Sequence, residues 1–450
     1  MTNPILDIIN ARGKAGTGGT HSGGTYSGGI YSVCSANEFV LEAVLESGRD
    51  TGTAVLIEAT ANQCNQFGGY TGMTPGDFAG FVDKIADKTG FDKKKLILGG
   101  DHLGPLTWSG EPADEAMLKA EELVRQCVLA GFSKIHLDTS MRLKDDGEKL
   151  SDGLIASRAA RLAAVSEKAH PERVRTHPGA PPPVYIIGSE VPVPGGSADE
   201  EGLVVTAPEH FTATYEAFKA AFAEAGLSDA FERVVGVVVQ PGVEFSGEHV
   251  DVYDREAARA LTDRLRQYGG LVFEGHSTDY QTRYKLREMV EDGIAILKVG
   301  PALTFYMREA LFALVCIEKE LELADPSRFK EILENAMVSH PENWSKYYHG
   351  SEQEQAFRRK YSLLDRSRYY LSDGAVKEAI QKLVRNINGN DIPESVISQY
   401  LPTAHFRLRA QGKGFTAEGL IKARIKDCID DYLYATSKRL PFREEPTFPV

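Results

Sequence analysis

Eight short apolar runs alternate with amphipathic stretches between residues 30 and 300. The runs are 30–34, 54–59, 95–100, 134–138, 184–189, 234–240, 271–275 and 295–299. They are rich in β-branched residues and read as strands buried on both faces. The stretches between them carry apolar residues at helical spacing. In 113–130, Ala113, Met117, Ala120, Leu123, Val124 and Cys127 share one face, and Gly131 follows as a stop. Segments 75–88, 153–168, 208–226, 254–268 and 279–292 behave alike. Eight strand–helix units of this kind predict an α/β fold, a (β/α)8 TIM barrel. The rival is a doubly wound open sheet, but no dinucleotide fingerprint accompanies the repeats.

Three segments differ. Residues 1–29 include a Gly/Ser/Thr-rich tract that reads as a flexible N-terminal segment, because a phosphate loop would follow a strand and open a helix. The proline-rich stretch 170–183 reads as a surface connection. Beyond residue 325 the strand signals stop. The barrel is therefore expected over 30–324, with 325–450 a helical extension packed on it, over its mouth.

A chain of 450 residues can bury a large core. Its net charge of −13 disfavours a nucleic-acid surface but not a local site for an anionic sugar phosphate. The five cysteines form no Cys-x-x-Cys pair, so they are expected to be reduced core thiols. With no secretory signal and no apolar run of membrane-spanning length, the expected location is the cytoplasm.

In a barrel, the C-terminal strand ends share one pocket. They offer Glu58 with Asn62 and Gln66; Asp101 and His102; His136 and Asp138; Glu190; Gln240; His276 with Ser277, Thr278 and Asp279; and Lys298 with Gly300. His102, Glu190 and His276 would supply two imidazoles and a carboxylate to a divalent cation, with Gln240 a weaker fourth ligand. Zinc suits that set best, although manganese or cobalt would also fit. Asp101 is placed for proton transfer. Lys298 would hold a phosphate as a point charge, or else pair with a barrel carboxylate; Ser277, Thr278 and Gly300 would add donors, and Asn62, Gln66 and Asp279 complete the expected substrate wall. Glu58 and Asp138 are candidates to orient the ligands.

Long motifs carry a family resemblance: Ile57-Glu-Ala-Thr-Ala-Asn-Gln-Cys-Asn-Gln-Phe-Gly-Gly-Tyr-Thr-Gly-Met-Thr-Pro75, Gly99-Gly-Asp-His-Leu-Gly-Pro105, Glu190-Val-Pro-Val-Pro-Gly-Gly196, His276-Ser-Thr-Asp-Tyr-Gln-Thr282 and Leu297-Lys-Val-Gly-Pro-Ala-Leu-Thr-Phe305. They resemble the Z-type subunit of tagatose-1,6-bisphosphate aldolase, a family distantly similar to the zinc-dependent class II aldolases. The resemblance implies that Asp101 transfers protons, that His102 and His276 are metal ligands, and that Glu190 is an acidic site residue. Gln240 stands where those aldolases have another histidine, a departure that puts ordinary aldolase activity in doubt. Family members are described as stabilising partners of a catalytic aldolase subunit, as tagatose-6-phosphate kinases, or as C4 epimerases of ketohexose derivatives. No Walker motif supports a kinase. The expectation is a metal-dependent 4-epimerase converting D-tagatose 6-phosphate to D-fructose 6-phosphate, with Glu190 a second base if protons move at C4 itself. The rivals are a non-catalytic aldolase subunit and the aldolase. A homo-oligomer is expected.

Overall fold

In the computed structural model, the described residues are 2–13, 28–189, 191 and 203–437. The Gly-rich tract 14–27 and Glu190 therefore lie outside the described residues.

All eight expected strands form: β1 (Ile30–Val33), β2 (Val55–Thr60), β3 (Leu96–Leu103), β4 (Lys134–Leu137), β5 (Val184–Ile187), β6 (Val234–Val239), β7 (Val272–Gly275) and β8 (Ile294–Val299). Each pairs in parallel with its sequence neighbour, and β8 closes on β1. Helices cover the outside, and a short antiparallel ribbon, Glu244–Phe245 with Val250–Asp251, follows β6. The caps follow the local sequence: Asn37, Thr74 and Thr282 each accept a backbone N–H at the start of a helix. No helix among the described residues is long and apolar enough to cross a membrane.

The barrel interior is stratified. Its lower layers are apolar, with Ile30, Leu56, Ile97, Ile186 and Ile296 in one buried cluster. Ile5 and Ile9 belong to that cluster because residues Pro4–Gly13, inside the segment expected to be flexible, form a helix that plugs the barrel floor. Asn3 fixes the plug by donating to the carbonyls of Ser133 and Pro182. Higher up, the inward positions become charged.

Two further differences concern helices. Residues 170–176, expected to begin a loop, continue the helix Asp152–Thr176 through Pro171. Tertiary contacts hold this last stretch: Glu172 pairs with Arg125, and Arg173 donates to the Leu129 carbonyl. At the other end, helix Ala417–Thr436 does not merely decorate the barrel. It packs between helices Glu38–Thr51 and Arg283–Glu291 and touches β1. Lys422 and Lys426 pair with Glu46, Arg283 with Asp431, and the Tyr432 hydroxyl donates to the Thr278 carbonyl. The last described helix thus fills the outer-layer slot beside β1, while the helix after β8, Pro301–Glu320, carries the chain into the extension.

Candidate active site

Period-two alternation along parallel strands brings every second side chain inward. Glu58 of β2, Lys134 of β4, Glu274 of β7 and Lys298 of β8 thereby meet at mid-barrel. Lys134 Nζ lies 2.6 Å from both Glu58 Oε1 and Glu274 Oε2, and all three side chains are fully buried. Lys298 joins this chain, bonded to Glu58 and 2.9 Å from Asp101 Oδ1. Ser32 Oγ donates to Glu58 at 2.6 Å. Gly99 permits the layer, since a Cβ there would lie 2.5 Å from Glu58 Oε1.

Three imidazoles sit above it. His102, His136 and His276 have ring centroids 4.9–5.2 Å apart. Each has one ring nitrogen near a carboxylate: His102 Nδ1 is 2.8 Å from Asp138 Oδ2, His136 Nδ1 is 2.9 Å from Asp101 Oδ1, and His276 Nε2 is 3.1 Å from Glu274 Oε1. Asp101, His102, His136 and His276 are all buried, and one ligand-type atom from each lies within 4.8 Å of the others.

Local backbone geometry makes the convergence possible. Adjacent strand residues ordinarily face opposite ways, but β3 slips register against β4 between Gly100 and Leu103, and His102 takes φ 48°. Asp101 and His102 can then both serve the pocket. Gly104 lets the turn press on β4, because a Cβ there would lie 1.6 Å from the Asp138 carbonyl oxygen. Ser277, after His276, has φ 53°. Two non-glycine residues in the left-handed region beside one pocket mark strain where function concentrates.

The field divides the protonation states. Burial pushes the His276 imidazole down to about 4, against its bond to Glu274, so it is neutral at pH 7. His102 feels the same burial, but the Asp101 charge and the Asp138 bond outweigh it and raise its pKa. Burial opposes ionisation of Asp101, yet His102, Lys298 and His136 hold it well below the usual carboxylate range. Cys34, at the end of β1, has Sγ 3.6 Å from Asp101 Oδ2; burial pushes its thiol well up, so it stays protonated.

The residues expected from sequence are distributed unevenly. Asp101, His102, His276, Ser277, Asp279, Lys298, Gly300 and Asn62 line one narrow pocket. Lys298 is held by carboxylates rather than left free for a phosphate. The Gly300 N–H is taken by Asp279 Oδ1 at 3.0 Å, and Thr278 Oγ1 donates to the Lys298 carbonyl at 2.6 Å. Gln66 turns away and donates to the Lys119 carbonyl, whereas Gln63 reaches the pocket and donates to the Cys34 carbonyl. Gln240 Oε1 accepts from the N–H groups of Gly242 and Val243, closing a turn, and Gln240 is not among the residues that line the narrow pocket. His136 takes the third imidazole position. Its signal in the sequence is the spacing Lys134-x-His136, two inward residues of one buried strand.

The site is not built by the barrel alone. Tyr369 packs edge to face on Tyr70 with centroids 4.9 Å apart, and Arg368 and Tyr369 from the extension complete the pocket wall.

Residues 20–437 match the D-tagatose-1,6-bisphosphate aldolase subunit GatZ/KbaZ-like family. The chain belongs to that family. It is 48% identical to a probable tagatose 6 phosphate kinase from Sinorhizobium meliloti 1021, whose crystal structure superimposes with a TM-score of 0.83 over 90% of this chain and 100% of that one. A far weaker likeness, 13% identity and a TM-score of 0.41 over 84% of this chain and 100% of the other, links it to the YdjI aldolase from Escherichia coli K12. Fructose-bisphosphate aldolase from Campylobacter jejuni is similarly remote, at 13% identity and a TM-score of 0.42 over 84% of this chain and 89% of that one. Likenesses at that level are too distant to bear on the chemistry.

Proposed function

We propose that the protein is a metal-dependent sugar-phosphate 4-epimerase that interconverts D-tagatose 6-phosphate and D-fructose 6-phosphate. The observation that carries this reading is the buried group Asp101, His102, His136 and His276 above a layer of ion pairs. Buried charge and buried imidazole are costly, and a scaffold has no use for them at a pocket floor.

The donor set fits a divalent cation. His276 is neutral, each imidazole has one nitrogen near a carboxylate, and His136 Nε2 is buried with no hydrogen-bond partner among the described residues. His102, His136 and His276 would hold it, with Asp101 beside them for proton transfer, and zinc suits such ligands. When bound, the ion supplies Lewis-acid stabilisation of a carbonyl-derived oxygen.

The chain's own residues divide the remaining work. Asp101, ionised at neutral pH, accepts the C4 hydroxyl proton as the C3–C4 bond opens to an enediolate and an aldehyde. It is a weak base, so proton transfer must be concerted with bond cleavage. Rotation of the aldehyde and re-formation of the bond, with the proton returned to oxygen, inverts C4. Lys298 keeps Asp101 ionised between turnovers, and the Asp138 and Glu274 carboxylates fix the His102 and His276 rings. This route needs one proton-transferring carboxylate; a route through C4 deprotonation would add Glu190 as a second base.

The family description favours a second reading, a stabilising subunit of a tagatose-bisphosphate aldolase that works with a catalytic chain. The purified protein alone, given zinc and D-tagatose 6-phosphate, separates the two. Formation of D-fructose 6-phosphate is expected, without triose phosphate release. No conversion, together with co-purification of a shorter aldolase chain, would replace the epimerase with the subunit.

A further inference from the structure

Two non-imidazole cations line the narrow pocket, Lys298 and Arg368. They differ in their direct partners. Lys298 is neutralised by Glu58 and Asp101. Arg368 has no carboxylate within ion-pair distance among the described residues. Its Nη1 donates to the carbonyls of Leu364 at 2.5 Å and Asp365 at 2.9 Å, and its Nη2 donates to the Tyr369 hydroxyl at 3.2 Å. These neutral acceptors orient the guanidinium without cancelling its charge. They use three of its five N–H donors, and the others have no hydrogen-bond partner among the described residues.

The turn that carries Arg368 is rigidly mounted. Asp365, fully buried with φ 42°, is 3.1 Å from Arg308 Nη1, and it accepts from Thr304 Oγ1 at 2.5 Å and Ser367 Oγ at 2.7 Å. Tyr280 donates to the Leu363 carbonyl at 2.5 Å. Arg308, Thr304 and Tyr280 belong to the barrel, so the extension is locked at this point to the barrel's C-terminal face. Arg368 also borders an outer cavity of about 670 Å³, which shares Cys34, Gln63, Tyr70 and Gly300 with the narrow pocket. It therefore stands at the junction between the room where a substrate body fits and the floor where the imidazoles lie.

We infer that Arg368 is the residue that binds the substrate's anionic group, a phosphate monoester at the end of the ketohexose remote from the reacting carbons. The assignment rests on the epimerase reading only for the identity of the sugar. An oriented guanidinium in a partly buried wall, with no carboxylate in ion-pair contact among the described residues, pairs with phosphate through short charge-assisted bonds. It also explains how a chain of net charge −13 admits an anion: the attraction is local, at one side chain.

The test is calorimetric and uses the full chain. Wild type, Arg368→Gln and Arg368→Lys are titrated with D-tagatose 6-phosphate, D-tagatose and D-fructuronate, and inorganic phosphate is added as competitor to wild type. Arg368→Gln should lose affinity for the phosphorylated sugar on the order of 10- to 100-fold, as for one charge-assisted contact, and bind D-tagatose about as before. Arg368→Lys should retain part of the difference. On wild type, inorganic phosphate should compete with D-tagatose 6-phosphate and leave D-tagatose binding unchanged, a result that does not depend on any variant folding. Equal losses for both sugars, or no phosphate competition, would overturn the inference. Preference for D-fructuronate over the phosphate would overturn phosphate as the anion. Tight, Arg368-dependent binding without turnover would leave this assignment standing and remove the epimerase; turnover with Arg368-independent binding would do the reverse.

Discussion

His102 and His276, from the ends of β3 and β7, meet edge to face with ring centroids 4.9 Å apart. A carboxylate backs each ring, Asp138 for His102 and Glu274 for His276. Removing such a backing carboxylate typically costs about 10- to 100-fold in metal affinity or activity. Asp138→Asn should fall in that range while keeping the fold, because Asn fills the same space. Zinc competition titrations against a chelating dye would measure it. An unchanged affinity would mean that Asp138 does not orient a ligand.

Lys298 tests whether the mid-barrel ion layer is structural or recognises substrate. Lys298→Met removes the cation that Glu58 and Asp101 share, leaving Glu58 with Lys134 alone and Asp101 with the imidazoles. Breaking a buried pair from one side costs about 3–5 kcal/mol. Urea unfolding should show a loss of that size, and Glu58→Gln added to Lys298→Met should recover part of it. A stable Lys298→Met protein with weakened phosphate affinity would instead return Lys298 to the phosphate role that its position in the sequence suggested.

Asp279 gives a pH dependence. Burial raises its carboxyl to about 6, against the backbone N–H groups of Ala302 and Gly300. The folded pKa lies above the unfolded value of about 3.9. Its contribution is therefore fully present below pH ~4 and is lost as pH rises through about 6. Both backbone bonds go to Oδ1, which Asn also offers. Wild type should lose stability relative to Asp279→Asn between pH ~4 and ~6.5, by at most about 3 kcal/mol. A flat difference between the two melting profiles over that range would contradict the assignment.

The C-terminal helix should be indispensable to the barrel. Ending the chain before Ala417 exposes the surface it covers beside β1 and leaves Glu46 without Lys422 and Lys426. The shortened protein should be insoluble or lack cooperative melting by circular dichroism. A truncated barrel that melts sharply would show instead that the extension is a detachable addition.

The strand order, the Asp101–His102 pair and His276 were legible because each is a local pattern: a β-branched run, then a polar residue at its end. What escaped was set by pairing over long distances in the chain. The period-two pattern cannot say which parity faces inward until the sheet closes, so His136 read as one polar strand residue among several, and Lys134 as a strand's first residue. The Gln240 side chain was a reasonable ligand by position, yet a local turn claims its oxygen. The floor helix Pro4–Gly13 is a brief apolar cluster whose partners, Leu56 and Ile97 among them, exist only once the barrel is built. The outer-slot role of Ala417–Thr436 and the reach of Arg368 into the pocket likewise have no local signature.

The central claim is that one divalent cation is held by imidazoles drawn from three strands. Anomalous scattering at the zinc edge, from crystals of the zinc-loaded protein, measures this directly. The account predicts a single strong peak within bonding distance of His102, His136 and His276, lost in the double variant His102→Ala/His276→Ala. No peak among these rings, or one held elsewhere with the three imidazoles unliganded, would contradict it.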